Sequence, residues 1–257
     1  MKITVLGCGP SVGVPMLGNR WGSCDPTNSK NRRRRCSILV ENQGFTLLID
    51  TTPDLREQLL DAQVSRIDAV LFTHAHADHT HGLDDLRPMF WLLDEQINVY
   101  GDAKTLEELD NRFDYMFRKS PDSPPYFRSP LVANEIGMEP FELGGMKIQP
   151  VRQDHGVSGE SLGFIFKGLF AYSTDVAYMS NVELERLSGI ELWIVDCLRI
   201  SSSRAHSVLG RTLSWIKVVQ PKQAYLTHMS SEIDYDTVMA QLPDTVQLAY
   251  DGMTLRI

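Results

Sequence analysis

The chain is poor in cysteine and has no long apolar run. Its 257 residues include four cysteines, too few and too scattered for a disulfide framework. No apolar stretch approaches the roughly 18 to 20 residues of a membrane span, and the first residues lack the charged and long apolar regions of a signal peptide. We therefore expect a cytoplasmic protein that has no membrane span.

Positive charge is also scarce. Lys and Arg number 25 against 33 Asp and Glu, so the formal net charge is −8. This balance argues against a general polyanion binder, although a local basic patch could still face a phosphate. The chain is long enough to bury one large core, and no linker, repeat or low-complexity tract divides it. We expect a single domain over residues 1–257.

Histidine is concentrated in one short segment of the chain. An apolar run over residues 67–72 reads as a buried strand, and four metal-capable side chains follow it within six residues. They are His74, His76, Asp78 and His79. In an extended segment, His74 and His76 project on one side, and the next two residues come as the chain turns. Imidazoles and carboxylates this close together suit two adjacent metal ions rather than a histidine-rich surface turn.

Other ligand-type residues end or follow strands farther along the chain. His155 follows the apolar stretch 146–151, Asp175 ends the stretch 169–174, and His228 ends the stretch 224–227. Open α/β sheets place their sites at such strand ends.

The remaining pattern alternates strands and helices in two similar halves. In the first half, it predicts strands at 3–6, 37–41, 45–50 and 97–101, and helices at 54–61, 81–93 and 105–117. In the second half, it predicts strands at 146–151, 161–167, 169–173, 192–197, 224–227 and 245–250, and helices at 181–187, 207–219 and 235–242. Two such halves around one site read as an α/β sandwich.

Three stretches have more than one interpretation. Cys24 and Cys36 are either free thiols or half of a structural metal site, but their separation far exceeds the roughly two to four residues common in zinc sites. The arginine run 32–35 is either a solvated stretch or an element in which one or two arginines bind a phosphate or a carboxylate. The proline-rich segment 119–130 is either a rigid spacer or a lid over the site.

The His-x-His-x-Asp-His motif at residues 74–79 resembles the signature of the metallo-β-lactamase superfamily of binuclear metallohydrolases. The resemblance implies an αββα sandwich, with two mixed sheets inside and helices outside. It also implies one metal held by His74, His76 and His155, and a second held by Asp78, His79 and His228, with Asp175 bridging both. Asp50 would accept a hydrogen bond from the N–H of a ligand imidazole and so orient its ring.

The resemblance is strongest to the phosphodiesterases of this superfamily. His206 lies between the last two metal motifs, as in the tRNA 3′-end endonucleases (RNase Z-like enzymes) and the phosphoribosyl cyclic phosphate phosphodiesterase. Its expected role is to protonate the leaving oxygen or to stabilise developing charge on the phosphate, and the alternative is a helix-capping histidine without chemistry. True β-lactamases generally use Cys in place of Asp175, which argues against lactam hydrolysis.

We therefore expect a binuclear metal-dependent phosphodiesterase that hydrolyses a small phosphodiester, such as a cyclic ribose or nucleotide phosphate. Two divalent ions would activate water, and Asp78 would orient it. Zinc suits this imidazole-rich ligand set best, and the carboxylates also admit manganese or iron. Alternatives are an RNase Z-like endonuclease, a thioester or lactone hydrolase on the same site, and a non-catalytic metal-holding module. Related enzymes are commonly homodimers, so a dimer is also expected.

Overall fold

The computed structural model describes residues 1–119, 123, 128–166 and 168–257. Most of the segment 119–130, predicted to be a spacer or a lid, lies outside these residues. Among the helices of the described part, none combines the length and the apolar character needed to cross a membrane.

Fourteen strands of the described residues form two sheets. In chain order they are β1 (Lys2–Gly7), β2 (Ser37–Asn42), β3 (Phe45–Ile49), β4 (Ala69–Leu71), β5 (Ile97–Gly101), β6 (Leu131–Glu135), β7 (Phe141–Leu143), β8 (Met146–Asp154), β9 (Glu160–Phe166), β10 (Phe170–Ser173), β11 (Leu192–Asp196), β12 (Gln223–Thr227), β13 (Val246–Leu248) and β14 (Thr254–Arg256).

Each sheet has seven strands and mixes parallel with antiparallel pairing. The first sheet has the order β14-β1-β2-β3-β4-β5-β6 and is parallel from β3 onward. The second has the order β13-β12-β11-β10-β9-β8-β7 and is parallel from β10 to β13. The predicted fold with two mixed sheets is confirmed. Strands β6, β7 and β14 were not predicted, because they are short and irregular in hydrophobic pattern.

The α-helices are short. They are α1 (Leu55–Asp61), α2 (Ala77–Thr80), α3 (Arg87–Leu93), α4 (Ala103–Arg112), α5 (Asp114–Phe117), α6 (Asn181–Arg186), α7 (Leu209–Val219) and α8 (Tyr235–Met239). Two of the predicted helices are interrupted in the structure. The stretch 81–93 contains a 3-10 turn, Leu83–Leu86, before α3, and the stretch 105–117 is divided at Phe113 into α4 and α5.

Alternating side chains of β3 show how the layers are built. Leu47 and Ile49 face the core between the two sheets, where they join side chains of the second sheet such as Phe164. Leu48 faces the other way and packs in a second cluster with Leu55 of α1. The period of two along a strand therefore gives each face of the sheet its own apolar layer.

The arginine run has partners within the protein. Arg33 is buried, and its guanidinium donates to the carbonyl oxygens of Ser230 (3.0 Å) and Ile233 (2.7 Å). Arg34 pairs with Asp61, and Arg35 pairs with Asp54. Arg34 and Arg35 thus bind carboxylates of the protein itself. Arg33 is neither solvated nor, among the described residues, bound to a carboxylate, and it links the long early loop to the chain after β12.

All four cysteines are free and buried. Within the described part of the chain, no cysteine belongs to a group of side chains that could hold a metal ion. Cys36 lies 3.2 Å from the hydroxyl of Thr227, and Cys24 contacts the carbonyl oxygens of Ser231 and Ile233. The free-thiol interpretation of Cys24 and Cys36 therefore describes the structure, and the half-site for a structural metal does not.

Candidate metal centre

The site lies where strands of both sheets end. The segment after β4 carries His74, His76, Asp78 and His79, and the ends of β8, β10 and β12 add His155, Asp175 and His228. Two of these residues and the nearby Asp50 have left-handed backbone angles: φ is 65° at Asp50, 56° at Asp175 and 58° at His228. Non-glycine residues rarely adopt this region, and such conformations concentrate at functional sites.

The structure brings all seven predicted ligands together in two groups. In the first, the ligand atoms of His74, His76 and His155 lie within 4.8 Å of one another. In the second, the ligand atoms of Asp78, His79, Asp175 and His228 meet the same limit.

Asp175 touches both groups. Its Oδ2 lies 3.1 Å from His79 Nε2, whereas its Oδ1 lies 3.5 Å from both His155 Nε2 and His228 Nε2, and 3.9 Å from His74 Nε2. This buried carboxylate is therefore in the position that a bridging ligand needs.

Contacts at hydrogen-bond distance from Nδ1 fix the orientation of three imidazoles. His79 donates from Nδ1 to Asp50 Oδ2 at 2.7 Å, and His155 donates from Nδ1 to the carbonyl oxygen of Ala205 at 2.6 Å. The hydroxyl of Thr73 donates to Asp50 and lies 3.0 Å from Nδ1 of His74. Each Nε2 then lies on the side of its ring that faces Asp175, at 3.1 Å for His79, 3.5 Å for His155 and 3.9 Å for His74, as in histidines that ligate metals.

This donor set fits divalent cations. Imidazole lone pairs and carboxylate oxygens are both electron-rich, so they repel each other unless a cation lies between them. Neither ring nitrogen of His228, although buried, hydrogen-bonds to a residue that the structure describes. His74, His76 and His155 would hold one ion and Asp78, His79 and His228 the other, with Asp175 shared.

The charges of the site also favour bound cations. Burial opposes a charge on His79, but Asp175, Asp78 and Asp50 together hold its pKa well above the usual value. Burial likewise opposes ionisation of Asp175, but His228, His79 and His74 hold the pKa of that carboxyl well below its ordinary range. The carboxylates thus stabilise positive charge at this point, whether it is carried by protons or by metal ions.

His206 lies at the edge of the metal centre and has a partner that the sequence analysis missed. Its Nδ1 donates to Asp196 Oδ2 at 2.8 Å, and its Nε2 faces Asp175 Oδ1 at 4.0 Å. Burial alone would lower the pKa of His206, but Asp196, with help from Asp175 and Asp78, raises it to about 9. The ring is therefore held in one orientation, with an Nε2 proton directed toward the two ligand groups.

Asp196 could have been found from the sequence. It is the last residue of β11 and is fully buried. The rule that selected Asp175 and His228, a ligand-type residue at the end of a buried strand, also applies to Asp196. Its Oδ2 additionally accepts a hydrogen bond from the backbone N–H of Val176, next to Asp175, at 3.0 Å.

Known proteins are similar to this chain in sequence and fold. Residues 46–229 match the model of a family described as the beta-lactamase superfamily domain. The chain belongs to the metallo-β-lactamase superfamily. Its structure superposes with a TM-score of 0.89 on a crystal structure described as a new diphosphatase from the PhnP family, at 34% identity and over 100% of this chain and 97% of that one. The chain is thus a metal-dependent hydrolase domain.

Two curated relatives differ in length and name. An octanoyltransferase of Porphyromonas gingivalis is 31% identical over 261 residues, which cover 98% of this chain and 51% of that protein. This chain therefore spans about half the length of that relative. The anti-Pycsar protein Apyc1 of Paenibacillus harenae is 27% identical over 219 residues, covering 77% of this chain and 84% of that protein.

Proposed function

We propose that this domain hydrolyses a small phosphodiester with two divalent metal ions, zinc being best suited to the imidazole-rich ligand set. The observation that carries the proposal is the position of His206, whose Nε2 faces the bridging carboxylate Asp175 while Nδ1 is held by Asp196. A fixed proton donor beside two adjacent cation sites matches the needs of phosphodiester cleavage, in which a poor leaving oxygen must be protonated.

When bound, the two metal ions supply charge neutralisation of the phosphate and a water of lowered pKa. Asp78, at the second ligand group, orients the attacking water by accepting its hydrogen bond. His206 gives its Nε2 proton to the leaving oxygen as the phosphorus–oxygen bond breaks. Asp196 holds the imidazole in the correct tautomer and stabilises its charged form, so it acts as a positioning residue.

Two alternatives use the same ligand set. A thioester or lactone hydrolase does not require His206, because a thiolate leaves readily and a bound metal ion would stabilise the alkoxide of an opened lactone. An RNase Z-like endonuclease requires a positively charged surface for the RNA backbone, and a net charge of −8 opposes that. A non-catalytic, metal-holding module would not need His206 to face the site.

The experiment is a substrate comparison on zinc- and manganese-loaded protein. Bis-(p-nitrophenyl) phosphate is assayed beside an octanoyl thioester and a lactone, the thioester being chosen because one relative is an octanoyltransferase. We expect turnover of the phosphodiester, loss of that turnover in Asp78→Ala, and retention in Asp84→Ala, which removes a carboxylate outside the ligand groups. Turnover confined to the thioester or lactone would overturn the proposal.

A further inference from the structure

His206 belongs to a further cluster of metal-capable side chains, beside the two ligand groups. The ligand atoms of Asp196, His206 and His228 lie within 4.8 Å of one another. The rings of His206 and His228 are nearly parallel, and their centroids are 4.5 Å apart. We call these three residues the outer group.

The outer group contains buried ligand atoms that are unpaired. Oδ1 of Asp196 accepts no hydrogen bond from a residue that the structure describes. Both ring nitrogens of His228 also lack such a partner, so a metal ion bound at one of them leaves the other unused. Buried polar atoms in proteins are normally paired, and these unpaired atoms are therefore available to a ligand.

A different cluster, made of His155, Asp175 and His206, offers no separate position. His155 and Asp175 both serve the two metal ions of the proposed function, so an ion held there would replace one of these ions. Asp196 takes part in neither ligand group. The outer group can therefore add an ion to the other two, because it brings a carboxylate of its own.

The spacing within the outer group suits zinc. Nδ1 of His206 and Oδ2 of Asp196 lie 2.8 Å apart, with one proton between them. Zinc forms bonds of about 2.0 to 2.1 Å to both kinds of atom, which at tetrahedral or smaller angles places them about 2.9 to 3.4 Å apart. Exchange of the proton for a zinc ion thus requires a movement of only a few tenths of an ångström.

The outer group can be reached from solvent. The side chain of His206 is 14% exposed, and it lines a cavity of about 520 Å³ together with His228. A zinc ion can enter through this cavity, and the displaced proton can leave to water by the same route. Neither step requires the two ligand groups to open.

Charge determines the order in which the sites fill. Two divalent ions repel a third one nearby, and the single negative charge of Asp196 offsets only part of this repulsion. The outer group should therefore bind zinc more weakly than the ligand groups do. Imidazole nitrogens favour zinc over manganese, so manganese should occupy the outer group much less readily.

We propose that Asp196, His206 and His228 form an inhibitory zinc site, in which a third ion replaces the Nδ1 proton of His206. The inhibition rests on the proposed function, in which His206 protonates the leaving oxygen, whereas the binding rests on the outer group alone. A zinc ion on Nδ1 converts the imidazolium into a metal-bound imidazole. The remaining N–H, on Nε2, is then a far weaker acid and cannot assist the leaving oxygen as before.

Equilibrium dialysis against zinc, followed by metal analysis, tests the site directly. We expect the wild-type protein to bind two equivalents first, and a third at free zinc about tenfold or more higher. Asp196→Asn and His206→Ala should stop at two equivalents, which also shows that both variants are folded. With manganese, the wild-type protein should stop at two over the same range.

The control is Glu232→Gln. It neutralises a carboxylate that lines the same cavity but lies outside the outer group, so it should still bind three equivalents of zinc. Only two equivalents in the wild-type protein at every zinc concentration would overturn the site. A third equivalent that persists in Asp196→Asn or in His206→Ala would also overturn it.

Hydrolysis by the zinc-loaded protein separates inhibition from binding. Turnover should fall as the third equivalent binds, and it should fall more for thymidylyl-(3′→5′)-thymidine, whose leaving group is an alcohol, than for bis-(p-nitrophenyl) phosphate. The residual activity of His206→Ala should not respond to excess zinc. A third equivalent that leaves wild-type turnover unchanged would overturn the inhibition. If the wild-type protein hydrolyses no phosphodiester at any loading, the proposed function fails, and dialysis still decides whether the zinc site exists.

Discussion

His206 and Asp196 form a hydrogen-bonded pair in which Nδ1 lies 2.8 Å from Oδ2, at the edge of the two ligand groups. The carboxylate is fully buried and comes from the end of a central strand, whereas the imidazole comes from the irregular segment before α7. The pair fixes which nitrogen of His206 faces the site and favours its charged form.

Replacing Asp196 with Asn should move the alkaline limb of the kcat–pH profile to lower pH. His206 acts as an acid, so activity is lost as pH rises through its pKa, and Asp196 is the main favourable influence that raises this pKa to about 9. Without the carboxylate, the loss should begin at lower pH, while metal content stays unchanged. An unchanged alkaline limb would show that Asp196 does not act through His206.

Replacing His206 with Ala should cut turnover about 10²- to 10⁴-fold, the usual effect of losing a positioned proton donor. The loss should be largest for substrates with unactivated leaving groups and smaller for p-nitrophenyl esters, which need little protonation. Metal analysis of the purified variant provides the control, since His206 is not among the proposed ligands. A uniform loss across leaving groups would argue for a structural role.

Metal binding should release protons and strengthen as pH rises. In the metal-free protein, carboxylates hold the pKa of His79 well above its usual value, so a cation that binds Nε2 must displace a proton. Titration calorimetry with zinc in two buffers of different ionisation enthalpy measures the number of protons released. Binding whose heat is independent of the buffer would contradict the assignment of His79 as a ligand.

Replacing Arg33 with Ala should lower the free energy of unfolding by about 2 to 4 kcal/mol, since buried carbonyl oxygens would lose charged donors. Arg33 is buried and donates to Ser230 and Ile233, directly after the ligand His228. Arg32→Ala is the matched control, because Arg32 is exposed and stacks on Trp21. Urea unfolding of both variants measures the difference, and equal stabilities would contradict the role given to Arg33.

Much of the site could be predicted because its residues follow buried strands. The strand before His74 and those before Asp175 and His228 are continuous apolar runs, so their ends, and the polar residues there, are visible in the sequence. The pairing of β12 between β11 and β13, and the meeting of the two sheets at one site, depend on long-range contacts that periodicity does not encode.

Other features had no local signal. The left-handed backbone at Asp50 and Asp175 is imposed by the surrounding structure, because neither residue stands in a glycine-like turn pattern. The burial of Arg33 within a run of four arginines reflects carbonyl groups that are some 200 positions away. The predicted cytoplasmic location and homodimer remain predictions.

The most direct test of the binuclear account is a metal titration of metal-free protein, in which bis-(p-nitrophenyl) phosphate hydrolysis is followed against zinc or manganese equivalents. The account predicts no turnover without metal and a rise that saturates at two equivalents per chain. Asp175→Asn, which weakens the carboxylate between the two groups, should saturate later or not at all. Full turnover at one equivalent, or none at any loading, would contradict the account.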